Sequence, residues 1–254
     1  MTQYFDTHAH YDSGKFNADR DEVLRAVHDS GVALVVDPGD SGVTSERAVA
    51  LAQAHDFVYA AVGWHPEEAD SWTDSSLAHI RALAAQPKVC AIGEIGMDYY
   101  WDASTKAKQE RMFRAQLELA LELDLPVIVH DREAHGDSLR VVCDYPLLRG
   151  VFHCYSGSVE MARELLRRGW YLGFDGPITY KNAAKAPEVI AACPLERILL
   201  ETDSPYLAPV PNRGKRTDSR NLPFIAARVA EIKGMTIDQV AEVTLQNGKK
   251  LFNL

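Results

Sequence analysis

Residues 4–11, with the sequence Tyr-Phe-Asp-Thr-His-Ala-His-Tyr, decide between the two folds that this chain could adopt. The stretch begins as a short apolar strand and runs directly into two histidines. A doubly wound open sheet normally carries a glycine-rich phosphate loop after its first strand, and residues 7–11 contain no glycine. The sequence therefore favours a closed α/β barrel, with the open doubly wound sheet as the alternative.

The rest of the chain repeats one unit, a short apolar stretch followed by an amphipathic one. Strands are predicted at residues 4–7, 33–37, 58–63, 89–94, 127–130, 150–153, 171–174 and 198–202. Helices are predicted at residues 19–30, 44–55, 73–85, 105–124, 134–144, 158–168, 183–192 and 221–233, and a further helix at about 236–251. Continuously apolar strands are typical of parallel sheets that are buried on both faces. Residues 1–254 are therefore predicted to form a single (β/α)8 barrel domain.

Composition limits the partners and the compartment of the protein. The net charge is −9, from 36 acidic and 27 basic side chains, which argues against broad, sequence-independent coating of duplex DNA. The chain has four cysteines without a Cys-x-x-Cys pair, a polar start without a signal peptide, and no apolar run of the ~18 residues that a membrane helix needs. We expect a reduced, cytoplasmic, monomeric protein that does not contact membranes.

Titratable residues cluster at the carboxyl ends of the predicted strands, which is where α/β barrels carry their active sites. Five of the nine histidines lie at or just past a predicted strand end, namely His8, His10, His65, His130 and His153. Seven acidic residues join them, namely Asp6, Asp37, Glu94, Asp98, Asp131, Asp175 and Asp203. Imidazoles packed together disfavour protonation, and a metal ion is the usual way to stabilise such a cluster near neutral pH. The pattern predicts a metal site at this rim.

The first and fourth strands supply three of the candidate ligands. His8 and His10 are two residues apart, so the period of a strand places them on the same face. Glu94 lies between Gly93 and Gly96, and we interpret these glycines as letting the backbone come close to a ligand. A carboxylate has two oxygens and can bridge two cations, which an imidazole cannot do.

Three further candidate ligands end the fifth, sixth and eighth strands: His130, His153 and Asp203. Six side chains suffice for two ions about 3.5–4 Å apart, with positions left for water and substrate. Imidazole and carboxylate ligands suit zinc, manganese, cobalt or iron better than calcium, and magnesium remains an option.

His65 and Arg132 are the candidate substrate contacts nearest to these ligands. His65 could donate a hydrogen bond to the substrate or the leaving group, or it could be a structural residue braced by Pro66. Arg132 follows His130 by two residues, so its guanidinium could bind a phosphate, although a salt bridge with a rim carboxylate is equally expected.

Two loops offer surfaces for a polyanion. The loop after the eighth strand carries Arg213, Lys215 and Arg216, which could bind phosphates or could be a solvated loop. The aromatic residues 99–101 follow Glu94 and could stack on bases or simply pack their loop.

Five motifs, in this order along the chain, resemble those of the TatD family of metal-dependent deoxyribonucleases. They are Asp-Thr-His-Ala-His at residues 6–10, Gly-Glu-Ile-Gly-Met-Asp-Tyr-Tyr at 93–100, His-Asp-Arg at 130–132, Phe-His-Cys-Tyr-Ser-Gly at 152–157 and Glu-Thr-Asp-Ser-Pro-Tyr-Leu at 201–207. The resemblance covers residues 5–252. It implies an amidohydrolase-like barrel and hydrolysis of nucleic-acid phosphodiesters that depends on divalent metals, often from the 3′ end.

The resemblance also implies roles for individual residues. The ligands of one ion would be His8, His10, Glu94 and Asp203. Those of the second ion would be Glu94, His130 and His153, and His65 matches a position that contacts the substrate phosphate. We expect two divalent ions, whether magnesium, manganese or zinc, and DNA as the partner, mainly as single strands or frayed ends.

Our hypothesis is two-metal phosphodiester hydrolysis, in which Asp203 accepts the proton of an activated water and Glu94 holds both ions. The alternatives are an amide or ester hydrolase on the same barrel, a hydrolase of another small phosphoester, and a binding protein without turnover. Amide hydrolases on this barrel often bridge their metals with a carboxylated lysine, whereas the fourth strand here supplies Glu94. That difference favours phosphoesters.

Overall fold

One sheet of parallel strands forms the frame of the molecule in the computed structural model, which describes residues 2–254. Its eight strands are hydrogen-bonded in chain order, β1 to β8. They are β1 Tyr4–Asp6, β2 Val32–Pro38, β3 Val58–Val62, β4 Val89–Asp98, β5 Val127–Arg132, β6 Gly150–Phe152, β7 Tyr171–Phe174 and β8 Ile198–Leu200. The predicted (β/α)8 barrel is confirmed, and the open doubly wound sheet is not formed.

Helices follow the strands in alternation, as the periodicity predicts. They are α1 Arg20–Asp29, α2 Gly42–Ala54, α3 Asp74–Ala84, α4 Lys106–Leu123, α5 His135–Cys143, α6 Val159–Arg167, α7 Ala186–Ala192, α8 Leu222–Lys233 and α9 Ile237–Phe252. Within residues 2–254, no helix combines the length and the apolar character that crossing a bilayer requires.

The strands are buried on both faces, as expected for parallel strands. Neighbouring residues of one strand fall into two different groups of buried apolar side chains: Val35 packs in the larger group and Val36 in the smaller one. Ala60 and Ala61 divide in the same way. The smaller group takes at least one residue from every strand and is completed by the end of α9. Burial of both faces explains why the strands are continuously apolar.

The first and eighth strands close the barrel through backbone hydrogen bonds. The Thr7 amide donates to the Leu200 carbonyl over 3.1 Å, and beyond the strands the Asp203 amide donates to the His8 carbonyl over 3.0 Å. Closure therefore continues into the loops that carry the candidate ligands, and it fixes His8 and Asp203 side by side.

The fourth strand differs most from its prediction. The sequence predicts that it ends at Glu94, but β4 continues to Asp98 and places Glu94 inside the strand. Ile92 pairs with Val127 and Ile95 pairs with Val129, so β4 contains one residue more than β5 between these pairs. Such a bulge interrupts the ladder locally and re-aims a side chain, here that of Glu94.

The interpretation of the two glycines beside Glu94 is wrong. A Cβ at Gly93 would lie 2.7 Å from the Cβ of Ile128, and one at Gly96 would clash with the carbonyl oxygen of His130. The glycines are required because β5 lies against them, which leaves no space for a ligand at these positions.

Smaller differences affect two other elements. The helix predicted at residues 183–192 begins at Ala186, because Pro187 lies in its first turn and favours a helix start there. The strand predicted at residues 198–202 ends at Leu200, because the Thr202 amide donates to the Asp6 carboxylate instead of a strand carbonyl.

Replacing Gly96 by alanine tests the contact between β4 and β5. Gly96 has a φ of +148°, and the added methyl group must displace the backbone of β5, so we expect Gly96→Ala to lower the free energy of unfolding by at least ~2 kcal/mol. Gly136→Ala in α5 is the control, because outside its own helix backbone nothing lies within 4 Å of the place that its added methyl group would take, and it should be neutral or stabilising by up to ~1 kcal/mol. Equal urea midpoints for the two variants would contradict this account.

Candidate metal centre

The Glu94 carboxylate lies at the middle of the site and is only 3% exposed. Its Oε2 atom lies 3.3 Å from His8 Nε2 and 3.6 Å from His10 Nε2. Its Oε1 atom lies 2.8 Å from His130 Nδ1 and 2.9 Å from His153 Nε2. Each oxygen of one carboxylate therefore faces a different pair of imidazoles.

A first set of donor atoms consists of His8, His10, Asp203 and the Oε2 side of Glu94. The two imidazole Nε2 atoms are 3.1 Å apart, and Asp203 Oδ1 lies 3.7 Å from His8 Nε2 and 3.5 Å from His10 Nε2. A tetrahedral site with bonds of ~2.1 Å has edges of ~3.4 Å between its ligand atoms. These separations fit a single divalent ion.

The hydrogen bonds of His10 fix which of its nitrogens can act as a ligand. His10 Nδ1 lies 3.1 Å from the Pro38 carbonyl oxygen, which only accepts hydrogen bonds, so Nδ1 carries the proton. When His10 is neutral, its Nε2 lone pair lies beside His8 Nε2, at 3.1 Å. Two facing nitrogen atoms are stabilised by a cation or a shared proton, and metal-binding histidines commonly donate their other N–H to a carbonyl group in this way.

A second set consists of His130, His153 and the Oε1 side of Glu94. His130 faces Glu94 with Nδ1 and contacts Asp98 Oδ2 with Nε2 over 2.9 Å. Asp98 thereby orients the imidazole, as carboxylates behind metal-bound histidines do. The sequence places Asp98 only among the rim acids and does not reveal it as the partner of His130, because the extension of β4 that brings it there has no sequence signal.

The charges of the cluster strongly favour positive charge beside Glu94. Burial opposes protonation of the histidines, but the carboxylates of Asp98 and Glu94 raise the pKa of His130 to about 10, and Glu94 raises the pKa of His153 to about 9. Burial, followed by the charge of His153, lowers the pKa of His8 to about 4. Burial would raise the pKa of Glu94, but the charges of His153 and His8 hold it well below its usual range. A divalent ion can supply the positive charge that protons otherwise provide, with release of those protons.

Asp6 holds the backbone segments that carry the first set of donor atoms. Its carboxylate accepts hydrogen bonds from the Thr202 hydroxyl over 2.6 Å and the Thr202 amide over 3.0 Å, and from the His8 amide over 3.4 Å. Burial raises the pKa of Asp6 to about 7. Asp6 thus ties the loop after β1 to the loop after β8, and both loops carry donors of the first set.

His65 faces Glu94 from a third side. Its Nδ1 atom accepts a hydrogen bond from the Glu67 amide over 3.2 Å, so its Nε2 atom carries the proton and lies 3.5 Å from Glu94 Oε1. An N–H directed into the site can donate to a substrate oxygen but cannot bind a metal ion. The geometry therefore favours the predicted donor role, although His65, Glu94 and His130 also lie close enough to hold an ion.

Arg132 lies at the edge of the site, on two exposed aromatic rings. Its guanidinium stacks 3.7 Å from the Tyr100 ring centre and lies 5.5 Å from that of Trp101, which is 65% exposed. We call Tyr100, Trp101 and Arg132 the aromatic platform. The remaining aromatic residue of this loop, Tyr99, donates its hydroxyl hydrogen to Asp137 over 3.0 Å and packs the loop.

The loop after β8 offers less unpaired positive charge than its sequence indicates. Arg213 lies 4.3 Å from the Tyr180 ring centre, and Lys215 is exposed. Arg216 donates to the Asp19 carboxylate, with one contact of 2.8 Å, so its charge is already paired. Among the rim acids, Asp131 accepts from His135 over 2.7 Å and Ser138 over 3.0 Å, which directs it toward α5.

A parallel eight-stranded barrel with a buried cluster of histidines and carboxylates at its carboxyl rim defines a metal-dependent hydrolase. A family model described as TatD related DNase matches residues 5–253, and the chain belongs to this family. The family resemblance predicted from the five motifs is thereby confirmed.

Several relatives match over nearly their whole length. The chain is 42% identical to the uncharacterized metal-dependent hydrolase YabD of Bacillus subtilis, covering 98% of this chain and 99% of YabD. It is 37% identical to the 3′-5′ ssDNA/RNA exonuclease TatD of Cronobacter turicensis, covering 98% and 97%. The crystal structure of the TatD homolog YjjV from Escherichia coli superposes with a TM-score of 0.94 at 32% identity, covering 99% and 98%.

Substitution of His65 tests whether this residue donates a hydrogen bond to the substrate or binds a metal ion. We expect His65→Asn to bind as many ions as the wild type but to lose nuclease activity at least about tenfold, because it removes a hydrogen bond to a charged group. His65→Gln is the matched control, since its amide reaches the Nε2 position and should retain more activity. Metal content after dialysis and initial rates provide the readouts, and loss of one ion in His65→Asn would assign His65 as a ligand instead.

Proposed function

We propose that this enzyme removes nucleotides from the 3′ ends of single-stranded or frayed DNA by hydrolysis that requires two divalent ions. The arrangement of Glu94 carries the proposal, because one buried carboxylate faces two separate sets of donor atoms. The direction and the strand preference are supported by the relative from Cronobacter turicensis, whose name is 3′-5′ ssDNA/RNA exonuclease.

The two ions are assigned to the two donor sets. The distances to Glu94 and Asp203 support His8, His10, Asp203 and Glu94 as the residues that would hold one ion, and Glu94, His130 and His153 as those that would hold the other. Nitrogen and oxygen donors accept magnesium, manganese or zinc. When bound, the ions supply positive charge that activates water and neutralises phosphoryl oxygens.

Asp203 is the proposed base. Burial raises its pKa, but hydrogen bonding and charge from His10 hold the pKa below its usual range, so the carboxylate is ionised and can accept a proton. Asp203 has a φ of +52°, and its amide is held by the His8 carbonyl, so the backbone aims the side chain toward the first set. His65 donates from the opposite side of Glu94 to an oxygen of the phosphate.

The aromatic platform supports single strands as substrates. Unpaired bases can stack on Tyr100 and Trp101, which contributes ~1–3 kcal/mol per base, while Arg132 can contact a phosphate. The net charge of −9 provides no general attraction to DNA, so we expect a short contact near one strand end.

The four cysteines are free thiols, which supports a reducing cytoplasmic location, and the monomeric state stays a prediction.

Labelled oligonucleotides test this function directly. With magnesium, manganese or zinc added in turn, a 5′-labelled single strand should yield a ladder of shortened products. A 3′-labelled strand should release its labelled mononucleotide at once. Glu94→Gln should abolish both products, and Glu67→Gln is the matched control, because Glu67 is an exposed glutamate of the same rim. The rates of hydrolysis of RNA, duplex DNA and a small amide, compared with the rate for single-stranded DNA, show which class of substrate the enzyme prefers. Absence of product with every metal, or release of internal fragments first, would contradict the proposal.

A further inference from the structure

A cavity of about 390 Å³ opens between the loop after β6 and the segment that joins β7 to α7. Its lining includes Cys154, Asp175, Ile178, Tyr180 and Ala184. Because Cys154 directly follows His153, the cavity adjoins the second donor set. Its volume lies within the range of ~300–1,000 Å³ that is typical of small-molecule sites. None of the roles assigned above uses this cavity.

The Asp175 carboxylate in the cavity wall has one oxygen without a partner, and the neighbouring Cys154 thiol contacts this carboxylate as a donor. Asp175 is 2% exposed, and its Oδ2 atom is buried without a hydrogen-bond partner among the described residues. Buried carboxylate oxygens in folded proteins are almost always paired, because an unpaired one retains its full desolvation penalty. Asp175 lines the cavity, and because a thiol is only a weak hydrogen-bond donor, a ligand hydroxyl that reaches the carboxylate would supply a stronger one.

The walls suit a flat or apolar ligand that carries a phosphate. Pro177, Ile178 and the Tyr180 ring provide apolar surface. The Tyr180 hydroxyl donates to the Ala208 carbonyl over 2.9 Å, which holds the ring in place. The Arg213 guanidinium lies 4.3 Å from the centre of that ring and supplies a positive charge for a phosphate.

We propose that this cavity binds the terminal nucleoside of the strand and that Asp175 accepts a hydrogen bond from its 3′-hydroxyl group. The proposal rests on the proposed 3′ exonuclease function. A sequence-tolerant enzyme needs a donor that every nucleotide offers, and exocyclic amino groups do not qualify because thymine has none. The 3′-hydroxyl is present on every DNA terminus, whereas inside a strand the same oxygen is esterified and has no hydrogen to donate. Asp175 would thus select ends over internal positions.

Two oligonucleotides that differ only at the 3′ end test the proposal. Both carry a 5′ label and the same sequence, one ending in a 3′-hydroxyl group and the other in a 3′-deoxy sugar. The wild type should remove the hydroxyl-bearing nucleotide with kcat/KM about tenfold higher. In Asp175→Ala this ratio should fall to about one. A merely structural role of Asp175 would lower both rates and leave the ratio unchanged.

A second variant tests the cavity independently of Asp175. Ala184 is exposed at the cavity wall, so Ala184→Trp should fold and fill the space, lowering kcat/KM for the hydroxyl-bearing strand about tenfold. Ala54→Trp is the control, because Ala54 is also exposed and lies at the end of α2, on the opposite side of the barrel from the carboxyl rim. Melting temperatures confirm that each variant is folded.

The outcomes separate the two levels of the proposal. Equal wild-type rates on the two ends, an unchanged ratio in Asp175→Ala, or full activity of Ala184→Trp would overturn the terminal subsite while leaving the nuclease function intact. Failure of the wild type to shorten the hydroxyl-bearing strand with any metal would overturn the exonuclease function and the subsite with it.

Discussion

The buried Glu94 carboxylate, with one pair of imidazoles at each of its oxygens, is the interaction on which the rest of the site depends. A carboxylate buried among histidines is stable only if positive charge accompanies it. Its depressed pKa and the raised pKa values of His130 and His153 express that requirement. The same requirement favours a cation at this position, and a metal-dependent nuclease needs cations where the negative charge of a phosphate has to be neutralised.

The barrel meets this requirement through two backbone devices. An extra residue in β4 takes Glu94 out of the ladder, and close packing of Gly96 against β5 holds the bulge in place. The closure between β1 and β8 continues past the strand ends, where it joins the backbones of His8 and Asp203. Candidate ligands from distant parts of the sequence therefore meet at fixed separations. The barrel preorganises this cluster, and the neighbouring loops carry the proposed substrate contacts.

The sequence predicts those parts of the structure that follow from periodicity. Apolar strands and amphipathic helices in alternation define the barrel, and the rule that strand ends carry chemistry brings five histidines to one rim. The bulge in β4 has no such periodic signature. The sequence therefore predicts neither the position of Glu94 inside the strand nor the pairing of Asp98 with His130. The pairing of Arg216 also escapes prediction, because its partner Asp19 is close only in space. The unpaired oxygen of Asp175 is likewise visible only once the surrounding side chains are in place.

Counting bound ions tests the central claim that Glu94 is shared. Calorimetric titration of the dialysed protein with manganese should give two ions for the wild type, one for Asp203→Asn and none with comparable affinity for Glu94→Gln, because the Glu94 carboxylate contacts both proposed donor sets. Circular dichroism spectra must show that all three proteins are folded. Two ions bound by Glu94→Gln with wild-type affinity would contradict the account, because each ion would then be held without the shared carboxylate.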